Sequence, residues 1–253
     1  MTRLSSNDII QQDMKNKFIL WIKREVKQAR AKGIMMGLSG GVDSSVVAAL
    51  AKEAVGRNRL LALILPCYSQ KQDLQDAKSV AKKLRIKTKT VDLSKIYDSL
   101  IKILPKAGSL TKANLKPRLR MLVLYYFANK LNYLVCGTGN KSELIVGYFT
   151  KHGDGATDIL PIGGLLKKQV RALARELGIP ERIINKAPTA GLWPGQTDEA
   201  EMGITYPELD DILGRIEKKK RQMLSKDKVN KVKEMIKRSE HKRQGPKIFY
   251  LHK

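Results

Sequence analysis

The chain alternates amphipathic segments with short, continuously apolar runs. Between Asn7 and Lys32 apolar residues recur at helical spacing and Gly33 follows, which predicts an amphipathic helix that ends there. The runs at 34–38 and 60–65 are apolar without alternation, as in strands that are buried on both faces. The segment between them, 44–55, predicts a helix, so this part of the chain is a β-α-β unit.

The same alternation continues further along the chain. Strands that alternate with helices predict a doubly wound parallel α/β sheet with helices on both faces, and later helical periods predict a helical C-terminal segment. The predicted helices are 73–84, 94–104, 118–132, 167–177, 206–221 and 227–240, and the predicted strands are 87–93 and 133–138.

Three stretches, 106–113, 148–161 and 186–203, show neither a helical nor a strand period. The second is glycine-rich, charged and longer than an ordinary connection, which favours a functional loop. We expect one domain over 1–253, and no internal repeat is evident. Its parts are an N-terminal helix (1–33), an α/β core (34–185), and a substrate loop with a basic helical C-terminal segment (186–253).

Composition favours a soluble cytoplasmic protein. With 253 residues, 42% of them hydrophobic, the chain is long enough to bury a full α/β core. No run of eighteen apolar residues occurs, so we expect no membrane span. Cys67 and Cys136 end strand-like runs and lack metal-ligand spacing, which predicts buried, reduced thiols.

The charge is strongly positive, with 49 Lys and Arg against 24 Asp and Glu and a formal net charge of +25. Residues 218–253 alone contain 14 basic and 3 acidic residues. Such a field attracts nucleic acid, a membrane surface or polyanionic small substrates, and it also keeps a protein soluble. Charge alone therefore does not select a function.

The segment GLSGGVDSS at 37–45 follows the first predicted strand and opens the next helix. A Walker-type phosphate loop needs a lysine near its end, whereas this loop has Asp43, which would repel phosphate. A bridging Mg²⁺ on Asp43 resolves the conflict, because backbone N–H groups and serine hydroxyls of the loop can then bind pyrophosphate oxygens. The alternative is a glycine-rich turn with solvated serines.

The segment GTGNKSE at 137–143 also follows a predicted strand. Ligands of doubly wound sheets lie at the carboxyl ends of the strands. We therefore expect the loops at 37–45 and 137–143 to face one site.

The pattern S-G-G-x-D-S resembles the pyrophosphate-loop ATP family. Its members cleave ATP between the α- and β-phosphates, transfer AMP to a substrate oxygen, and let a nitrogen or sulfur nucleophile displace AMP. The family contains amide-forming synthetases and tRNA-modifying enzymes, so this loop narrows the reaction but not the substrate.

Further motifs extend the resemblance from about residue 30 to 245. In chain order they are NLKPRLRM, GTGNKSE, GYFTKHGDGATDILP, LLKKQVRALARELGIP, APTAGL, GQTDEAEMGITYPELDDIL and EHKRQ. Together they resemble the NAD synthetase family. This resemblance implies an adenine nucleotide alpha hydrolase-like fold, ATP, Mg²⁺, deamido-NAD and ammonia as ligands, and a homodimer that binds deamido-NAD between its subunits.

The resemblance also assigns site residues. It implies Asp43 and Glu143 as Mg²⁺ ligands. For ATP it implies Gly37, Leu38, Ser39, Gly40, Gly41, Val42, Asp43, Ser44, Thr138, Lys167 and Thr189. For deamido-NAD it implies Arg118, Lys151, Asp158, His241 and Lys242. Without it, Glu143 would be an exposed helical residue and Lys151 and Lys167 ordinary solvated lysines.

Two places match the family less closely. The segment LPCYSQKQDLQDA matches where the family binds adenine, but Tyr68, Gln70 and Lys71 are looser matches. Pro117 stands where a small residue is more usual before the arginine, which bears on the direction of Arg118.

Asp154, in the GDG turn, is our candidate for the group that deprotonates ammonium, because a flexible loop there can close over the intermediate. No Cys-Glu-Lys or Cys-His set is left for an amidase, so we expect direct use of ammonia. The apolar face of the N-terminal helix has two interpretations: packing in the core of its own chain, or contact in a symmetric dimer interface. We prefer the dimer interface.

The competing functions belong to other classes. A tRNA-modifying ATP enzyme would share the loop and agree with the basic tail. An enzyme of this class that transfers sulfur would need a reactive cysteine pair, which the chain lacks. A lysidine-type enzyme would still fit the sequence. A non-catalytic RNA-binding module is weaker, since aromatic residues are only 6% and no RNA-recognition signature is present. On our preferred interpretation nucleic acid is not required.

Overall fold

The computed structural model describes residues 6–193, 195–221 and 223–251. Its sheet has four parallel strands, in the order β3-β2-β1-β4. The strands are β1 (Gly33–Gly37), β2 (Leu60–Ile64), β3 (Lys87–Thr90) and β4 (Tyr133–Cys136). The predicted doubly wound parallel sheet is confirmed.

Helices make up most of the remaining chain. In the described residues they are α1 (Ser6–Gln28), α2 (Val42–Val55), α3 (Lys71–Leu84), α4 (Ser94–Ile103), α5 (Ser109–Ala113), α6 (Leu115–Leu131), α7 (Lys141–Val146), α8 (Lys167–Glu176), α9 (Glu181–Ile184), α10 (Asp198–Met202), α11 (Tyr206–Glu217), α12 (Lys226–Arg238) and α13 (Glu240–Arg243).

Helices cover both faces of the sheet. Successive side chains of a strand point to opposite faces, so each strand contributes residues to two cores. Ile34 and Met36 join a core that includes residues of α1, α2, α3 and α8. Met35 joins a second core with Leu63 of β2 and with Ala128 of α6. The apolar strand runs follow from this burial on two sides.

The order of the strands creates a switch point between β1 and β4. From β1 the chain proceeds to β2 and β3 on one side, and it returns to β4 on the other side of β1. Met36 of β1 pairs with Cys136 of β4, so the segments that follow them emerge side by side. The expectation that 37–45 and 137–143 share one sheet edge is confirmed.

The apolar face of α1 packs inside the molecule. Ile19, Ile22 and Val26 are buried, and α1 lies against α2. Core packing therefore accounts for this face, while the dimer contact stays a prediction.

The C-terminal helices form a separate small core. Buried residues of α11 and α12 pack there with Val146 of α7 and Leu166. A Cβ on Gly147, at the end of α7, would lie 2.1 Å from Cβ of Ser239, which shows how closely this segment approaches. The predicted helical C-terminal segment is confirmed, and none of the described helices is long and apolar enough to cross a membrane.

Some predicted boundaries were wrong. The stretches 106–113 and 186–203 contain the five-residue helices α5 and α10, which are too short to show a helical period. The predicted strand 87–93 ends at Thr90, although the amides of Val91 and Leu93 still donate to the carbonyls of Ile64 and Pro66.

Candidate active site

A cavity of about 480 Å³ opens at the carboxyl edge of the sheet, beside the switch point. Its wall combines the 37–44 loop with parts of the 148–161 and 186–203 stretches. Among the residues assigned from the sequence, those that line it are Gly37, Leu38, Ser39, Gly41, Val42, Asp43, Ser44, Thr138, Glu143, Asp154, Lys167, Thr189 and Lys242.

Gly40 is the member of the 37–44 loop that does not line the cavity. Its φ is +84°, and a Cβ there would lie 2.5 Å from the carbonyl oxygen of Asp73. Glycine is needed at this position because the loop turns through the left-handed region against α3. Gly40 therefore sets the turn of the loop on the side that faces α3, outside the cavity.

The serines of the loop hold its turn together. The hydroxyls of Ser39 and Ser44 lie 3.0 Å apart, and Ser45 donates its hydroxyl to the Gly41 carbonyl at 2.7 Å. Among the described residues no side chain makes a capping hydrogen bond at the N-terminus of α2. This helix end therefore presents backbone N–H groups and a positive dipole to an anion in the cavity.

Asp43, Lys167 and Glu143 form an ion cluster in the cavity wall. Lys167 Nζ lies 2.6 Å from Asp43 Oδ2 and 3.2 Å from Glu143 Oε1. These residues come from three elements, α2, α8 and α7. The structure thus brings together the two predicted Mg²⁺ ligands and the predicted pyrophosphate-binding lysine.

Asn140 orients both carboxylates and was missed from the sequence. Its side chain caps α7 by accepting from the Glu143 amide, while Glu143 Oε2 accepts from the Asn140 amide at 3.2 Å. Asn140 Nδ2 also donates to Asp43 Oδ1 at 2.9 Å. An Asn followed three residues later by Glu is a capping-box signal that could have revealed this role.

Burial and the neighbouring charges decide the protonation of this cluster. Lys167 is 2% exposed. Burial alone would lower its pKa, but the charges of Asp43 and Glu143 raise it above its ordinary value. Burial raises the pKa of Glu143 to about 7, against the lowering effect of Lys167. The ammonium is therefore held charged between the two carboxyl groups.

Buried Asp210 of α11 fixes the start of α8. The backbone N–H of Lys167 donates to Ser142 Oγ at 2.9 Å, and that hydroxyl donates to Asp210 Oδ1 at 2.5 Å. The N–H of Lys168 donates to Asp210 Oδ2 at 2.8 Å. A carboxylate at a helix N-terminus is stabilising and here sets the position of the Lys167 backbone.

Tyr206 and Asp198 extend the cluster and were also missed. The Tyr206 hydroxyl lies 3.2 Å from Glu143 Oε1 and 3.0 Å from Asp198 Oδ2. Lys167 Nζ stands over the Tyr206 ring, 4.8 Å from its centroid. Both residues belong to the motif GQTDEAEMGITYPELDDIL, which identified the family but not their roles.

Three of the predicted deamido-NAD residues form a chain of contacts at the side of the cavity rather than in its wall. Arg118 Nη2 donates to the Lys151 carbonyl at 3.3 Å, and Lys151 Nζ donates to the His241 carbonyl at 2.6 Å. Lys242 does line the cavity, where its ammonium donates to the carbonyls of Gly147 and Phe149 at 2.7 and 2.9 Å.

Asp158 accepts hydrogen bonds from β4 and from α6. Its Oδ2 accepts from the Val135 amide of β4 at 2.7 Å, and its Oδ1 accepts from the Tyr125 hydroxyl at 3.0 Å. The structure thus shows Asp158 extending the hydrogen bonding at the edge of β4, outside the cavity wall.

Asp154 lies in the cavity wall, on the turn from 150 to 155. Its Oδ1 accepts from the Thr150 amide at 2.9 Å. Partial removal from water raises the pKa of its carboxyl, although that hydrogen bond and the charges of Arg120 and Lys242 oppose the shift. A carboxylate with a raised pKa is better suited to accept a proton near neutral pH.

Both cysteines are buried and free, as predicted. Burial raises the pKa of each thiol. Since the thiolate is the nucleophilic form, neither Cys67 nor Cys136 is suited to covalent catalysis.

The donor set of the ion cluster fits a magnesium ion. Asp43 and Glu143 both line the cavity and both lie within 3.2 Å of the Lys167 ammonium, so their carboxylates border the same part of it. Mg²⁺ prefers oxygen ligands and is commonly bound through one or two carboxylates together with substrate phosphates.

Curated relatives match the chain over most of its length. A protein of Carboxydothermus hydrogenoformans named NH(3)-dependent NAD(+) synthetase is 48% identical over 240 residues, which cover 93% of this chain and 96% of the relative. A protein of the same name from Archaeoglobus fulgidus is 49% identical over 230 residues, covering 90% and 92%.

Solved structures agree. NMN synthetase from Francisella tularensis superposes with a TM-score of 0.87 at 39% identity, over 94% of this chain and 98% of that one. NH3-dependent NAD synthetase from Campylobacter jejuni, in complex with the nitrate ion, superposes with a TM-score of 0.83 at 31% identity, over 95% and 99%. The NAD synthase family model matches residues 14–246, and the chain therefore belongs to the NAD synthase family.

Proposed function

We propose that the protein amidates deamido-NAD with ammonia at the expense of ATP, forming NAD, AMP and pyrophosphate through an adenylate. The observation that carries this proposal is the Asp43–Lys167–Glu143 cluster, which stands beside a helix N-terminus at the switch point of the sheet. Relatives of nearly the same length named NH(3)-dependent NAD(+) synthetase support it.

In the first half-reaction a carboxylate oxygen of the nicotinate attacks the α-phosphorus of ATP. The bond from that phosphorus to the oxygen that bridges the α- and β-phosphates breaks, and pyrophosphate leaves with the electron pair. The N–H groups at the start of α2 and the ammonium of Lys167 are placed to stabilise this leaving group. Mg²⁺ held by Asp43 and Glu143 would neutralise phosphate charge that otherwise repels the carboxylate.

In the second half-reaction nitrogen displaces AMP. Ammonium first gives up one proton, for which Asp154 is the proposed acceptor, and neutral ammonia attacks the carbonyl carbon of the adenylate. The bond from that carbon to the AMP oxygen breaks, AMP leaves with the electron pair, and the nitrogen releases a second proton to give the amide. The raised pKa of Asp154 supports its part.

We assign deamido-NAD to the side of the cavity that Lys242 lines, with Arg118, Lys151, Asp158 and His241 as further contacts. Gly37, Leu38, Ser39, Gly40, Gly41, Val42, Ser44, Thr138 and Thr189 are assigned to ATP together with the ion cluster. A cytoplasmic homodimer is part of the same proposal.

Ammonia as the direct nitrogen source is supported by the relatives named NH(3)-dependent NAD(+) synthetase, which are 48% and 49% identical to this chain. Glutamine supplied alone should therefore yield almost no NAD. Robust NAD formation from glutamine with ammonia removed would contradict this assignment.

A second acceptor needs a test because the Francisella tularensis structure is that of an NMN synthetase. The corresponding substrate here would be nicotinate mononucleotide, which carries the same carboxylate but lacks the AMP half of deamido-NAD. We expect kcat/KM to favour deamido-NAD, and a higher value for the mononucleotide would assign the chain to NMN synthesis instead.

The decisive assay contains the protein, ATP, Mg²⁺, deamido-NAD and ammonium. We expect NAD, AMP and pyrophosphate in equal amounts, and Asp43→Ala should reduce the rate by about a hundredfold or more because it removes a metal ligand and a partner of Lys167. Asp227→Asn, on α12 and outside the cavity wall, is the matched control. Products of ADP and orthophosphate, or turnover without a metal, would overturn the proposal.

The tRNA-modifying and RNA-binding alternatives are tested by filter binding of tRNA. We expect weak retention that disappears as salt is raised, since the net charge of +25 acts without sequence preference. Tight, specific retention at physiological salt would favour those alternatives.

A further inference from the structure

Asp198, the first residue of α10, carries a buried carboxylate oxygen to which none of the described residues donates a hydrogen bond. The residue is 4% exposed. Its Oδ2 accepts from the Tyr206 hydroxyl at 3.0 Å, whereas Oδ1 has no hydrogen-bond partner among the residues that the structure describes. An unsatisfied carboxylate oxygen in such a place is costly, so it indicates a group that binds there.

The surroundings of Asp198 contain more acceptors than donors. The Tyr148 hydroxyl neighbours Asp198, but it donates its single proton to Glu201 Oε2 at 2.8 Å. The single proton of Tyr206 is already shared between Asp198 and Glu143. Because a phenol has one O–H and an ionised carboxylate has none, the group that fits here is a cation that brings its own hydrogen-bond donors.

A second metal ion fits this position poorly. A bound Mg²⁺ needs near-octahedral oxygen ligands; substrate phosphates would supply several beside Asp43 and Glu143, whereas among the described residues of this position only Asp198 Oδ1 lacks a hydrogen-bond partner. The phenol hydroxyl of Tyr206 also stands between Asp198 and the carboxylate of Glu143.

An ammonium ion fits better. It has four N–H donors and one positive charge, so it matches acceptor-only carboxylates and the free lone pairs of two phenol oxygens. The ring of Tyr206 already faces one ammonium, that of Lys167, at 4.8 Å. Asp198, Glu201 and Tyr148 all line the cavity, so a small cation that enters the cavity can reach them.

We propose that Asp198 binds the ammonium ion that supplies the amide nitrogen, with the hydroxyl oxygens of Tyr148 and Tyr206 as further acceptors. The proposal rests on the proposed function and names the subsite for its second nucleophile. Asp198 holds the cation in the cavity while the adenylate forms. The ammonium then gives one proton to the acceptor, for which Asp154 is the candidate, and its nitrogen lone pair becomes free to attack the carbonyl carbon.

The test separates the two half-reactions in Asp198→Asn. Exchange of labelled pyrophosphate into ATP in the presence of deamido-NAD reports adenylate formation and needs no ammonium. We expect this exchange to stay within about twofold of the unmodified enzyme, while KM for ammonium rises by about ten- to a hundredfold, as for loss of a charge-assisted hydrogen bond.

Hydroxylamine provides a second readout, because it is largely neutral near pH 7.5 and forms a hydroxamate by the same attack. Asp198→Asn should use hydroxylamine nearly as well as the unmodified enzyme, since a neutral nucleophile does not need the carboxylate. Glu199→Gln is the matched control on α10: its carboxylate accepts from the Tyr206 amide at 2.8 Å and does not line the cavity. We expect KM for ammonium to be unchanged in this variant.

The outcomes distinguish failure of the ammonium site from failure of the proposed function on which it rests. Loss of pyrophosphate exchange in Asp198→Asn, or equal losses with ammonium and hydroxylamine, would mean that Asp198 serves the metal or the fold and would overturn the ammonium site. If Glu199→Gln changed KM for ammonium as much, the site would also be wrong. If the unmodified enzyme showed no exchange and no NAD, the proposed function itself would fail.

Discussion

At the scale of single residues, the site depends on buried charges that compensate one another. Lys167 is almost fully buried, and the carboxylates of Asp43 and Glu143 keep it charged. Removing one charged side chain leaves its partners buried without a compensating charge. The resulting loss of stability exceeds the net stabilisation that the intact cluster provides. The same reasoning applies to a second cluster at the base of the 186–203 loop.

Asp76 of α3 is the centre of that second cluster. It is 3% exposed and accepts hydrogen bonds from Lys186, Arg182 and Gln72. Burial alone would raise its pKa, but the hydrogen bonds of Lys186 and Gln72 hold it below the ordinary value. Because the folded pKa is the lower one, Asp76 stabilises the fold above the ordinary aspartate pKa and loses this effect as the pH falls below it.

We therefore predict that Asp76→Asn lowers the free energy of unfolding at pH 7 by about 1.5–3 kcal/mol, the usual range for hydrogen bonds to a charged group. The difference from the unmodified protein should shrink as the pH falls from about 5 toward 2, where aspartate becomes protonated. Urea unfolding followed by circular dichroism over this range measures both effects.

Asp211→Asn is the control for that series, because its ion pair with Arg215 lies on the surface of α11. Its effect should stay near or below about 0.5 kcal/mol. A difference between Asp76→Asn and the unmodified protein that stays constant from pH 7 to pH 2 would show that protonation of Asp76 does not contribute.

At the scale of elements, two loops have their shape imposed by neighbouring helices. The 37–44 loop turns at Gly40 against α3, and the 186–203 stretch is held by Lys116 of α6. Lys116 is 7% exposed, donates from Nζ to the Leu192 carbonyl at 2.6 Å, and has Tyr68 and Tyr97 rings within 5.8 Å.

For the first loop we predict that Gly40→Ala lowers the free energy of unfolding by about 2–4 kcal/mol, because it combines a left-handed backbone with a clash against the Asp73 carbonyl. In Gly41→Ala, φ is −87° and the nearest atom is Ser39 Oγ at 3.4 Å, so the loss should be below about 1 kcal/mol. Urea titrations of both variants measure the losses, and equal losses would refute the argument.

For the second loop we predict that Lys116→Met speeds thermolysin cleavage before Leu192 by about five- to thirtyfold, since one anchor of the loop is lost. The rate at which the intact chain disappears measures this under native conditions. Lys130→Met, at the far end of α6, should cleave at the unmodified rate. Unchanged cleavage in Lys116→Met would mean that other contacts hold the loop.

At the scale of the whole molecule, the arrangement of subunits stays a prediction. The buried face of α1 packs against α2, but Leu20 on the same helix is 63% exposed. Leu122 of α6 is 61% exposed and offers a competing contact. A leucine that lies in a dimer interface loses buried apolar area when it is replaced by a charge.

We expect a homodimer by light scattering at micromolar protein, about twice the chain mass of 28.4 kDa. Leu20→Glu should shift it toward the monomer if α1 forms the contact, while Leu122→Glu should leave it unchanged. The opposite result would place the contact on α6, and a monomeric unmodified protein would contradict the dimer.

Sequence pattern alone determined the fold class, and the resemblance of the motifs indicated the family. Continuous apolar runs identified β1, β2 and β4 because these strands are buried on both faces, and the loop residues that follow them are chemically distinctive. Pattern failed for α5 and α10, since five residues do not complete two helical turns. These predictions depend on neighbours in the chain, which a sequence displays directly.

Only the tertiary structure decided how distant residues meet. Asp43 and Lys167 are 124 positions apart and yet lie within 2.6 Å, and Tyr206 and Asp198 join them through contacts that no spacing encodes. It also showed that Asp158 supports β4 and that Gly40 lies beneath the loop. The physical reason is that the folding of the sheet sets these distances and desolvates these groups, and neither effect is local in the chain.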